Sequence, residues 1–120
     1  MPRPVLAVLL AALATPAFAA APAAVPPVAF TGTVVSTYPD GRTAKLWLEP
    51  GGTYRGQGRR GGLSRGSWKV EGDRICLRQS RPFPYPKSYC TRMVDGGVGT
   101  TWQGKAVTGE DVTMTLVAGR

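Results

Sequence analysis

From Phe30 onward the chain never runs much beyond about ten residues without meeting glycine, proline or aspartate in a turn-forming combination, and this punctuation governs what it can fold into. Pro39-Asp40-Gly41, Pro50-Gly51-Gly52, Gly72-Asp73, Asp95-Gly96-Gly97 and Val107-Thr108-Gly109-Glu110 each carry turn chemistry. Proline fixes φ, aspartate bonds nearby backbone, and glycine accepts positive φ. Between these breaks lie short runs rich in Val, Thr, Tyr and Trp: Phe30–Tyr38, Ala44–Glu49, Thr53–Gln57, Gly66–Glu71, Arg74–Gln79, Ser88–Val94, Thr100–Ala106 and Val112–Val117. Several alternate, with Ala44, Leu46 and Leu48 opposite Lys45, Trp47 and Glu49, and Val112, Met114 and Leu116 opposite Thr113, Thr115 and Val117. About eight short strands leave no room for a helix of any length, so the class is all-β. A small antiparallel up-and-down β-barrel closes its edges best, and a curved β-sandwich is the alternative. Gly32, Gly56, Gly66 and Gly104, inside strands, suit tight curvature.

The N-terminus differs in kind. Arg3, the apolar run Val5–Leu13 and Ala17-Phe18-Ala19 make a complete export signal over residues 1–19, with small residues where a signal peptidase reads. The run is far shorter than the roughly 20 residues a membrane span needs, so no transmembrane segment is expected after processing. Residues 20–29 read as an Ala/Pro-rich linker and residues 30–118 as a single β domain. A periplasmic or secreted location follows. So does a structural Cys76–Cys90 disulfide, since a lone pair without Cys-x-x-Cys spacing in an exported chain is expected to be oxidised. Closing that loop contributes about 3 kcal/mol in the chain-entropy model.

Fifteen Lys and Arg against seven Asp and Glu give a net charge of +8, and cleavage removes only Arg3 from the basic side. Twelve of the cations fall between Arg42 and Arg92. A surface of this sign gathers anionic partners. For an exported protein these are an anionic lipid headgroup, an acidic glycan or an acidic protein, and nucleic acid is disfavoured. Two segments concentrate candidate contacts. Gly56–Gly66 interleaves glycines with Arg59, Arg60 and Arg65 and reads as a flexible basic hairpin tip or loop, with a spacing that fits neither the P-loop nor the dinucleotide fingerprint. Ser80–Lys87 places prolines at alternate positions, so Phe83 and Tyr85, flanked by Arg81 and Lys87, are expected on a stiff arch that either presents the rings to a ligand or folds them back over an open end of the domain.

Tyr38-Pro39-Asp40-Gly41-Arg42, Gly52-Thr53-Tyr54, Gly66-Ser67-Trp68, and Gly72-Asp73-Arg74-Ile75-Cys76-Leu77 leading to Tyr89-Cys90-Thr91 resemble small exported bacterial domains of lipocalin-like, calycin-type form. The resemblance covers about residues 30–117 and rests on turn and core residues. It implies a barrel that binds an apolar or amphipathic ligand or serves as a protein inhibitor. The chain lacks the opening Gly-x-Trp of true lipocalins, its Gly66-x-Trp68 lying mid-domain.

The chain has no histidine, which removes the commonest metal ligand and general base and with them Ser-His-Asp and Cys-His sites. A carboxylate pair from Glu49 and Glu71 is the remaining catalytic arrangement, and it requires the two to approach in a buried site. No enzymatic activity, cofactor or metal is therefore expected. The leading expectation is a monomeric exported binding module for an anionic or amphipathic envelope ligand, using Arg59, Arg60, Arg65, Arg81, Phe83, Tyr85 and Lys87. The alternative is a secreted protein inhibitor or protein-interaction domain using the same loops.

Overall fold

A computed structural model describes Pro2, Pro4 and residues 25–120; the expected export signal, apart from those two prolines, and the first half of the linker lie outside the described residues. A 3-10 helix, Pro27–Phe30, leads into eight strands: β1 (Thr33–Thr37), β2 (Thr43–Leu48), β3 (Thr53–Gln57), β4 (Leu63–Glu71), β5 (Arg74–Arg81), β6 (Tyr89–Arg92), β7 (Thr101–Lys105) and β8 (Asp111–Val117). Every neighbouring pair is antiparallel, and the sheet runs β6-β5-β4-β3-β2-β1-β8-β7. It curls until its first and last strands approach, giving a nearly closed eight-stranded barrel. The expected all-β class is thus the observed one, and each expected run overlaps one of the strands.

Side chains make the closure where the ladder stops. β6 and β7 are not hydrogen-bonded neighbours. Instead the Tyr89 hydroxyl donates to the Lys105 carbonyl, and the Trp102 indole N–H donates to the Arg92 carbonyl at 3.0 Å. β6 is held from its other side by ladder pairing with β5, where Cys76 and Cys90 face each other with Cα atoms 4.0 Å apart and form the expected disulfide.

Most strand ends shift by one or two residues from the sequence reading, and two segments differ more. The first run does not start as a strand at Phe30, because Pro26 and Pro27 open a 3-10 turn whose Ala29 is 1% exposed. Val25 is buried as well, so the end of the proline-rich segment packs on the core instead of lying extended. The second difference is in Gly56–Gly66. Of the two forms expected, hairpin tip or loop, it is the tip of the β3–β4 hairpin, tightly closed by bonds from Gly58 N–H to the Gly62 carbonyl and from Gly61 N–H to the Gly58 carbonyl, with Gly61 at φ +90°. β4 therefore starts at Leu63 and takes Arg65 into the sheet.

Alternate residues of each strand fill the interior, and the two ends of the barrel are filled differently. At one end the inward residues are large: Val34, Leu48, Trp68, Ile75, Trp102 and Leu116. The 3-10 helix lies across this end, with Phe30 stacked 5.9 Å from Trp68. Arg120 seals it by donating to the carbonyls of Leu48 at 2.6 Å and Ala29 at 3.3 Å while pairing with Glu49 at 3.0 Å. This is the plugged end. At the opposite, open end the inward residues of β1 to β4 are Ser36, Ala44, Gly56 and Ser64.

Candidate functional site at the open end of the barrel

Strand alternation sends four connections to the open end: residues 38–42, 58–62, 82–88 and 106–110. Small side chains in the last inward layer of β1 to β4 cannot meet across the barrel axis. A cup with a cavity volume of 230 Å³ remains above a floor that includes Leu46, Leu77 and Met114. All four tyrosines of the chain, Tyr38, Tyr54, Tyr85 and Tyr89, line it. Lys45 and Lys87 are the charged residues of its lining, which contains no carboxylate.

Burial keeps two of the phenols protonated. Burial pushes Tyr54 above the ordinary tyrosine range. Burial also raises Tyr89, with a smaller push from Tyr38 and partial relief from its bond with Thr91. Both groups stay protonated at neutral pH; Tyr54 presents an O–H with an apolar ring face, whereas the Tyr89 proton is already given to the Lys105 carbonyl, so Tyr89 offers the cup its ring.

The proline arch forms the lip of the cup. Tyr85 N–H donates to the Gln79 carbonyl at 3.1 Å, and the Gln79 side-chain amide donates to the Phe83 carbonyl at 3.1 Å. A bulge in β5 opposite Arg65/Gly66 bends the strand toward this turn. Gly66 makes the bend possible, since a Cβ there would lie 1.9 Å from the Arg78 carbonyl oxygen. Of the two readings of the arch, the structure adopts neither wholly. Tyr85 and Lys87 turn to the cavity, while Phe83, its ring 6.2 Å from Tyr85, stays 56% exposed.

The seven candidate ligand residues separate into three groups. Phe83, Tyr85 and Lys87 share the rim of the cup. Arg59 is at the same end but already occupied: its guanidinium stacks 4.4 Å from the Tyr38 ring centroid and reaches Glu110 at 3.2 Å and Asp40 at 3.7 Å. It clamps three of the connections together, while Arg60 beside it is exposed. Arg65 and Arg81 are not at the mouth. They face each other on the outside wall, because the tight hairpin tip leaves Arg65 in β4 and the bulge leaves Arg81 in β5.

Sequence reasoning missed Tyr38, Tyr54 and Tyr89 as site residues. Tyr54 and Tyr89 sit at inward positions of β3 and β6 and Tyr38 directly follows β1, so the signal available was their shared facing, which only the register between strands makes visible. Glu49 and Glu71 are ion-paired at the plugged end, Glu49 with Arg55 and Arg120 and Glu71 with Lys69, as surface carboxylates beside cations. Glu71 also lies 3.3 Å from Cys76 Sγ. Among the described residues no helix is long and apolar enough to cross a membrane. Comparison with protein-family models, with curated proteins and with solved structures found no match for this chain.

Proposed function

We propose that the protein is an exported, lipocalin-like binding module that takes a small amphipathic anion, a carboxylate or phosphate with an apolar or aromatic body, in the open-end cup. The observation that carries this reading is the cup's lining: four tyrosines, an apolar floor and Lys87 at the rim, with no carboxylate. Apolar walls with a few placed polar groups are how small-molecule sites are generally built. The ring faces take the ligand body, the Tyr54 hydroxyl donates to its oxygens, and Lys87 supplies the opposite charge. At about 30 Å³ per water-sized group, the volume suits a ligand on the order of ten non-hydrogen atoms, for which micromolar affinity is the expected range. The export signal and the disulfide support action outside the cytoplasm.

Calorimetric titration with octanoate, and with octyltrimethylammonium as the cationic counterpart, tests the proposal. Octanoate is expected to bind and the cation not. Lys87→Glu should weaken octanoate about tenfold, and Ala44→Leu, which fills the cup, should abolish binding with the fold retained. Equal binding of both amphiphiles, or octanoate binding untouched by Ala44→Leu, would sink it. A second reading, docking of an acidic protein at the rim, draws on Phe83 at 56% and Val107 at 62% exposure. It predicts a protein adduct in native mass spectra of the material taken from its own envelope.

A further inference from the structure

The outer wall of β2 to β5 carries an arrangement that the cup does not use. Trp47 lies directly opposite Arg55, Arg55 opposite Arg65, and Arg65 opposite Arg81. Four consecutive strands thus place one tryptophan and three arginines in a single row, with neighbours about 4.8 Å apart along the hydrogen-bonding direction. Like charges facing each other across a ladder destabilise a sheet, and opposite charges are the arrangement that relieves this. Here the relief is slight. Among the described residues Arg65 and Arg81 have no carboxylate within ion-pair distance, and Arg55 has Glu49 at 3.6 Å through exposed side chains. The row is therefore a line of positive charge with almost no internal counterion.

Its setting is concave and half apolar. A groove of 360 Å³ runs along the row, walled by Trp47, Leu63, Arg65, Arg81 and Pro82. Leu63 is 71% exposed. The Trp47 ring is fixed, because its indole N–H donates to the Thr33 hydroxyl at 2.9 Å and the Arg55 guanidinium lies 5.6 Å from its centroid. A pinned aromatic face followed by three guanidinium forks at regular spacing suits an extended ligand that repeats flat C–H faces and anionic groups along its length. Pyranose rings offer the C–H face to tryptophan by dispersion, and their carboxylates or sulfates accept paired N–H bonds from arginine. A bilayer meets protruding apolar groups and free interfacial N–H donors, whereas this tryptophan is recessed in a groove with its N–H spent.

We propose that the Trp47-Arg55-Arg65-Arg81 row is a second binding surface, for a linear acidic glycan. It stands apart from the cup in position and chemistry, so either site can fail without the other. Binding of polygalacturonate to the oxidised protein is the direct test, with neutral dextran, phosphatidylglycerol vesicles and a single-stranded oligonucleotide alongside. Polygalacturonate should bind, lose at least tenfold in affinity between about 0.05 and 0.5 M salt as charge screening sets in, and leave octanoate binding unchanged. Arg65→Gln with Arg81→Gln should cut glycan binding at least tenfold, and Trp47→Leu should weaken it severalfold without changing its salt dependence. Relief of the facing charges should also leave the melting temperature of the unliganded Arg65→Gln/Arg81→Gln protein equal to or above that of the parent. That readout separates loss of contact from loss of fold. Undiminished glycan binding by the double variant overturns the proposal. So does vesicle or oligonucleotide binding as tight as that of the glycan with the same arginine dependence.

Discussion

The two ends of the barrel are built from the same strands and arrive at opposite results. At the plugged end the inward layer of Leu48, Trp68, Ile75, Trp102 and Leu116 meets across the axis, and the 3-10 helix with Val25, Ala29 and Phe30 covers it. At the open end the corresponding layer is Ser36, Ala44, Gly56 and Ser64, and the phenols stand around the space that these leave. The difference lies in side-chain volume at fixed backbone geometry. Stability is concentrated where volumes fill the barrel, and binding capacity where they do not.

The sharpest way to break this contrast is to change side-chain volume in both layers. Ile75→Ala and Leu116→Ala should each cost about 3 kcal/mol and lower Tm by roughly 15 °C in calorimetry, because both side chains are fully enclosed and leave cavities. Ala44→Leu at the open end should stay within about 1 kcal/mol of the parent, since the cup already has room. Equal losses at both ends would show that the cup is packed in solution.

Alkaline titration sharpens the same comparison. Tyr54 and Tyr89 are raised by burial, so their contribution is fully present below the unfolded value of about 10 and is lost as pH rises through the higher folded values. Phenolate absorbance should show these two ionising late, with a loss of near-ultraviolet signal from the open end above about pH 10. Tyr54→Phe should remove the late component assigned to it.

Smaller effects are expected from the loop clamp. Arg59→Ala should cost about 1 kcal/mol, mostly through its stack on Tyr38, and should raise amide exchange in residues 38–42 and 106–110 while leaving the plugged end protected. Unchanged exchange in those loops would mean that the clamp does not order the mouth. Acid should act on the same cluster more weakly still. Glu110 is held below the ordinary carboxylate value by hydrogen bonds from the Thr108 hydroxyl and from its own backbone, and then by Arg59. Its contribution is present above the unfolded value of about 4.5 and fades as pH falls through the lower folded one. Chemical-denaturation midpoints between pH 6 and 3 should reveal a small loss that Thr108→Ala removes.

Much of this was legible before any coordinates. The eight strands follow from turn residues whose backbone preferences act locally, and the disulfide follows from an isolated pair of cysteines placed on adjacent runs. The site was legible in part. The arch residues Tyr85 and Lys87 were found because alternating prolines are conspicuous, and Arg59 and Arg60 because glycines surround them. Arg65 and Arg81 were recognised as cations of interest, yet their place on the outer wall depends on a two-bond turn closure and a one-residue bulge. The pairing of Arg59 is not legible in the sequence, because its partners, Asp40 and Glu110, are 19 and 51 positions distant.

The sequence by itself determined the all-β class, the strand segments, the basic balance and the absence of histidine chemistry. All of these depend on residue type and on neighbours a few positions away. Only the tertiary structure decided which inward layer is small, that every tyrosine meets in one cup, that Arg59 spends its charge holding loops, and that Trp47, Arg55, Arg65 and Arg81 fall in one row. Those outcomes depend on register between strands far apart in the chain, where a shift of one residue would send each of these side chains to the opposite face of the sheet.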